Sequence, residues 1–219
     1  MKKKNFTGHV SLLLAVLFAL QLPLHAQTTI KDFFASSSPQ VLYLGIDFTK
    51  TKLIDDANTS VNDLRDREYT AINELVLQEP KKYDLKKAFH KDNTDHDLGL
   101  VNARNEKANT EEIKSTNSGD FHRFKEDDIK AIVSGYDFKD KKGFGLLFVM
   151  EAMSKSDKAI AMWATVIDMG SKTMLMTERV EGKLGMGFGV RNYYATGIHS
   201  AIEAIEKKKY EEWKTKYSK

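Results

Sequence analysis

The chain has 219 residues, with 34 Lys and Arg against 31 Asp and Glu, and it contains no cysteine. That composition excludes disulfides, thiol nucleophiles and cysteine-ligated metal, so the fold has to rest on a packed core. Three of the basic residues (Lys2, Lys3, Lys4) fall in the first 26 positions, which hold no acid; the remaining 31 basic and 31 acidic residues cancel. Such a balance argues against general binding to nucleic acid, which needs clustered surplus Lys and Arg.

Residues 1–26 have the form of a secretory signal peptide. The lysines make a positive head, residues 11–22 an apolar run, Pro23 breaks it, and Ala26 offers a small residue before a cut that leaves Gln27 first. The run falls short of the ~20 residues that a membrane span requires, and with no cysteine after it a bacterial lipoprotein anchor is excluded. The expected location is periplasmic or secreted, with no transmembrane segment after signal removal. Residues 27–40, with Ser36-Ser37-Ser38-Pro39, read as a flexible lead-in. Residues 41–219 read as a single domain, long enough to bury a core without covalent staples.

VLYLGIDF (residues 41–48) is a short apolar run bounded by turn residues and predicts a buried strand. Val61, Leu64, Ala71, Ile72, Leu75 and Val76 then recur at helical spacing; Ser60 with Asp63 resembles a capping box, and Pro80 ends the helix. Such a helix can serve as the crossover to a parallel strand. Residues 81–119 are the least patterned: 83–90 suggest a short helix, 97–105 an edge strand and 108–119 a polar loop. Residues 126–136 read as a helix with Ile129, Ile132, Val133 and Tyr136 on one face, and Glu126, Asp127 and Asp128 at the positive end of its dipole.

Three apolar runs follow, at 144–153, 159–168 and 173–181, joined by connections short enough to predict an antiparallel meander. The first two are apolar on both alternating faces, which predicts cover on both sides. Residues 189–217 predict a long helix striped by Ile198, Ala201, Ile202, Ile205 and Trp213; its charged end, 206–219, is expected to extend past the core. The order of elements predicts an α+β fold: a mixed or antiparallel sheet with a three-stranded C-terminal meander, packed by helices and closed by the long C-terminal helix.

The most distinctive local sequence is GMGFG (185–189) followed by Arg191, Asn192, Tyr193 and Tyr194. It leaves a strand and opens a helix, where backbone N–H groups and the dipole favour an anion. The spacing of Gly185, Gly187 and Gly189 matches neither dinucleotide nor P-loop fingerprints, so a glycine-permitted turn is the plainer account and a binding surface the functional one. His90, Asp92, Asp95 and His96 gather oxygen and nitrogen ligands suited to a divalent metal. Asp95, Asp97 and Glu106 fall at calcium-loop positions 1, 3 and 12, but Leu100 replaces the glycine that such a loop requires. The seven methionines beyond Met1 all lie between Met150 and Met186; they suit a core, an adaptable partner surface or a Cu(I) site. LGIDFTKT (44–51) resembles the first phosphate loop of the actin and chaperone ATPase family, with Asp47 at the acid's position. Thr49 stands where that loop needs glycine, which leaves Asp47 as an acid that caps a strand end. Asn58-Thr59-Ser60 is a glycosylation sequon. No hydrolase signature is present, and no cofactor is expected.

The succession of an N-terminal strand (VLYLGIDF), helices, a meander whose middle strand ends at Asp168, and a helix opening FGVRNYYATGIHSAIEAI resembles bacterial periplasmic α/β envelope modules. These are the periplasmic domain of the curli secretion channel, the N-terminal domain of the Tol–Pal translocation protein and the penicillin-binding-protein activators. The resemblance is one of architecture over residues 41–206; it carries no functional residue. It implies an exported non-enzymatic accessory or binding protein that acts through a protein partner or through self-association. Two alternatives stay open: a small metal- or anion-dependent hydrolase using His90, Asp92, Asp95 and His96, and a periplasmic carrier of a small apolar ligand.

Overall fold

A computed structural model describes residues 28–219; the signal-peptide reading of residues 1–26 lies outside the described residues. The first element is already a correction. Where a flexible lead-in is expected at 27–40, the described part of that stretch carries helix α1 (Ile30–Ala35), capped by Thr29, which accepts from the Asp32 backbone N–H at 3.3 Å. Phe33 and Phe34 of this helix are buried.

Strand β1 (Val41–Asp47) is followed after a four-residue turn by β2 (Lys52–Ile54). Helix α2 starts at Val61–Asp63, passes through a π-helical turn (Leu64–Glu68) and continues as Tyr69–Gln78. The short helix α3 (Leu85–Ala88), strand β3 (Thr94–His96), helix α4 (Gly99–Asn105) and strand β4 (Lys114–Ser115) come next. A 3₁₀ turn (Ser118–His122) and helix α5 (Glu126–Ser134) lead into β5 (Phe144–Ser154), β6 (Ala159–Asp168) and β7 (Thr173–Lys183). Helix α6 (Gly189–Ala204) runs on through a π-helical turn (Ile205–Lys209) and Tyr210–Tyr217. The edge strand expected at 97–105 is in fact α4; the strand is the three residues just before it.

β5 is the axis of the seven-stranded sheet. β1 pairs with its first half, from Val41 opposite Phe144 to Asp47 opposite Val149, and β2 with its end, from Lys52 opposite Ala152 to Ile54 opposite Ser154. The two strands thus lie end to end along one edge of β5. β3 adds to β1 and β4 adds to β2, all parallel. β6 pairs antiparallel with the other edge of β5, and β7 with β6. The α+β assignment with a mixed or antiparallel sheet is therefore corrected: β1 to β5 run parallel and, with their helices, make an α/β-type fold. The antiparallel reading came from the short hairpin connections after β5, which govern one edge only. The parallel strands that join β5 have two, three, three and seven residues, and all but β1 are too short to leave a pattern.

Both faces of the sheet are covered. On one, Tyr43, Phe148, Met162 and Val180 pack against α1, α2, α3 and α6; on the other, Leu44, Leu147, Val149 and Ile167 pack against α4 and α5. Every residue of β5 is buried, as suits a strand covered on both sides. The C-terminal end of α6 does not extend past the core: Tyr210 and Trp213 are buried, and Phe34 of α1 sits 5.3 Å from the Tyr210 ring.

Two local devices shape the sheet. β3 pairs only with Val41, Leu42 and Tyr43, so the outer edge of β1 beyond them needs other partners. Buried Asn73 accepts from the Ile46 N–H (2.7 Å) and donates to its carbonyl (3.1 Å); Asn105 accepts from the Phe48 N–H (2.7 Å) and donates to the Ile46 carbonyl (2.9 Å). Two side-chain amides thus take the place of a missing strand. On the other flank, Gly182 of β7 lies directly under Gly197 of α6: a Cβ on Gly182 would fall 1.8 Å from the Gly197 carbonyl oxygen.

Candidate functional site: a crevice at the carboxyl ends of the parallel strands

Open α/β sheets bind ligands beyond the carboxyl ends of their parallel strands. Here that region lies past Ile54 of β2 and Ser154 of β5, where the first turns of α2 and α6 approach each other. A crevice of about 550 Å³ opens there, lined by Asp56, Ser60, Arg67, Lys155, Gly187 and Tyr194 among others. Its size is in the range of small-ligand sites, about 300–1,000 Å³.

Asp56 anchors the floor. It is 4% exposed and stands two residues past β2. It accepts from the Thr59 hydroxyl (2.7 Å) and backbone N–H (3.2 Å), from the Tyr194 hydroxyl (2.8 Å), and from Lys155 Nζ (2.8 Å). Burial alone would raise its pKa, but these donors and the Lys155 charge outweigh burial and hold the carboxyl below its ordinary value. Tyr194 moves the opposite way: burial first, then the Asp56 bond, push its phenol well above the ordinary range, so it stays a donor. The network ties β2, β5 and α6 together at one point, and Ser60 caps α2 beside it by accepting from the Asp63 N–H at 3.2 Å.

The glycine-rich segment forms the rim. Gly187 packs on the first turn of α6, where a Cβ would lie 2.6 Å from the Asn192 carbonyl, and Gly189 takes φ +80°. Both positions demand glycine, the first by close approach and the second by its left-handed backbone. The glycines line the crevice, whereas Met186 (101% exposed) and Phe188 (96%) stand fully in solvent.

The structure sorts the residues singled out in the sequence. Gly187, Gly189, Tyr193 and Tyr194 come together on the crevice. Gly185 is held by its N–H to Thr196 Oγ1 at 2.8 Å. Asn192 donates to the Phe188 carbonyl at 3.0 Å, and Arg191 Nε donates to Asn192 Oδ1 at 3.2 Å; both secure the loop and do not line the crevice. His90, Asp92, Asp95 and His96 are not gathered into one site. His90 stacks on Tyr210, Asp92 accepts from Ser37, Asp95 accepts from Gln40, and His96 is exposed on β3. Among the described residues no group of three or more His, Asp or Glu is placed to hold a metal ion. Five of the seven methionines fill the core layers, Met150, Met153, Met162 and Met176 on one face and Met169 on the other, while Met174 is partly buried and Met186 is exposed, so the meander presents no clustered thioether surface. Asp47 is a structural acid: buried, it accepts from the Thr49 N–H (2.8 Å), Tyr136 hydroxyl (2.6 Å) and Arg104 Nε (3.3 Å).

Asp56 and Lys155 escaped the sequence reading because they are 99 positions apart and meet only through the β2–β5 pairing. The one local signal was the acid pair Asp55-Asp56 just past Leu53-Ile54.

Comparison with protein-family models, with curated proteins and with solved structures finds no match to this chain. No helix among the described residues is long and apolar enough to cross a membrane.

Proposed function

We propose that the chain is an exported, non-enzymatic binding protein of the bacterial envelope, periplasmic or secreted, that acts through protein contacts. Its contact surface is the loop of residues 185–189 at the crevice mouth. The observation that carries the reading is the full exposure of Met186 and Phe188, held outward by flanking glycines. Each such side chain gains about 1.5–3 kcal/mol when it is covered, and methionine and phenylalanine are enriched where protein interfaces are driest. The crevice behind them supplies polar groups, Tyr193 and Lys155, that can fix the orientation of an incoming chain. The balanced charge outside the leader fits a protein partner better than nucleic acid. The architectural resemblance to periplasmic envelope modules points the same way.

The test is a photoreactive residue at position 186 or 188 in cells that export the protein. The reading predicts a discrete cross-linked adduct at both positions, lost on Met186→Ser/Phe188→Ser in a chain carrying the photoprobe at Tyr193. An adduct pattern no different from that of a probe at the exposed helix position Lys130 would sink it.

A further inference from the structure

The loop of residues 185–189 and the crevice behind it are a projection and a recess side by side on one surface. Met186 and Phe188 are fully exposed and do not line their own crevice, whereas Gly187 and Gly189 on either side of Phe188 do. The backbone that carries the ring is fixed. Gly187 packs on the first turn of α6, where a Cβ would lie 2.6 Å from the Asn192 carbonyl, and the Asn192 amide donates to the Phe188 carbonyl at 3.0 Å. The projection is therefore set before a partner arrives, which cuts the ordering cost of binding.

The recess suits a neutral, apolar occupant. The charges that line it are matched within it: Arg67 lies 3.0 Å from Glu68, and Lys155 lies 2.8 Å from Asp56. Asp63, the remaining acid, stands in the first turn of α2, where the helix dipole favours it. Val190 and Tyr193 add an apolar wall. Beyond residue 26 the chain's 31 basic and 31 acidic residues cancel, and a chain without net charge does not repel its own copy. A projection beside a recess is self-complementary about a two-fold axis, the commonest symmetry of soluble assemblies.

We propose that the partner of the loop is a second copy of this chain. Phe188 of each copy enters the crevice of the other, against Val190 and Tyr193, with Met186 on the rim. The inference rests on the reading of the loop as a contact surface and narrows its partner. A buried aromatic side chain covers about 150–250 Å². Two rings, two methionines and the walls they touch bring the contact to about 1,000 Å², the lower bound of a specific interface. A contact of that size makes a dissociable dimer.

Sedimentation velocity on protein purified from the exported fraction tests it. A monomer–dimer equilibrium is expected below about 0.5 mM. Phe188→Ser should weaken it about tenfold or more, and so should Asn58→Trp, which fills the crevice from an exposed loop position. A second readout leaves the crevice unaltered: a photoreactive phenylalanine at 188, which keeps a ring there, in an equal mixture of light and heavy isotope-labelled chains. The expected adduct joins a light chain to a heavy one at a peptide that lines the crevice. A monomer at every concentration up to about 0.5 mM, a dimer unchanged by either substitution, or adducts confined to one label would overturn the proposal. The loop reading survives those outcomes if the same probe captures a different protein in exporting cells; no discrete adduct there removes both.

Discussion

At the scale of single residues, the most informative group outside the sites is Lys91. It is buried, and its ammonium donates to the carbonyls of Phe33 and Ser36 (2.7 Å to the latter) and lies 4.3 Å from the Phe33 ring. It thereby closes the C-terminal end of α1. Burial lowers its pKa from 10.5 to about 8, against a smaller opposing effect of Asp92 and with a small reinforcement from Lys214. The folded-state value is depressed, so between about pH 8 and 10.5 the unfolded chain holds a proton that the folded chain has released. Stability therefore rises with pH from 8 upward. Tyr43, Tyr69, Tyr136 and Tyr194 are pushed above 10 by burial, so their unfolded forms ionise first and stability falls again above about pH 10. Urea unfolding from about pH 7.5 to about pH 9.5 should give a rising midpoint in the native protein and a flat one in Lys91→Met. Parallel curves for the two would show that Lys91 does not titrate in this window.

At the scale of elements, the contact of α6 with β7 depends on the Gly182–Gly197 pair. Gly182→Ala puts a methyl group into the Gly197 carbonyl, so α6 must shift off the sheet, at a cost of about 1–3 kcal/mol or more. A thermal melt of G182A within a degree or so of the native protein would mean that the helix yields freely. Gly185→Ala meets only Thr196 at 3.6 Å or more and serves as the matched control. Elements of this length were legible because their periodicity is long: β1, β5, β6, β7 and the paths of α2, α5 and α6 follow apolar runs that leave little choice. The strands β2, β3 and β4, of three, three and two residues, carry no pattern of their own. Helix α1 has only Phe33-Phe34 to betray it amid serines. Strand direction was hidden for the same reason: the antiparallel hairpins are written in short local connections, whereas the parallel pairs join residues 53 to 103 positions apart. The site divides likewise. The glycine-rich rim is a local motif and was visible, but Asp56 with Lys155 exists only after long-range pairing.

At the scale of the whole molecule, a seven-stranded sheet is sandwiched by helices, with a crevice at the carboxyl ends of its parallel strands and with β1 and β2 meeting at a junction along one edge of β5. That junction governs how the chain is made. β1 finds only three pairing positions in β3, and β2 only two in β4; both find their main partner in β5, which begins at Phe144. Pairing over such sequence separation forms late and slowly. A chain emerging from the ribosome therefore has no sheet to close until its last third is made. A fragment ending before residue 144 should lack a cooperative urea transition, whereas one ending after β7 should begin to regain it; a cooperative transition in the shorter fragment would refute this. The late arrival of β5 thus leaves the first two thirds of the nascent chain without its main sheet partner, the loosely folded state that the proposed export would require.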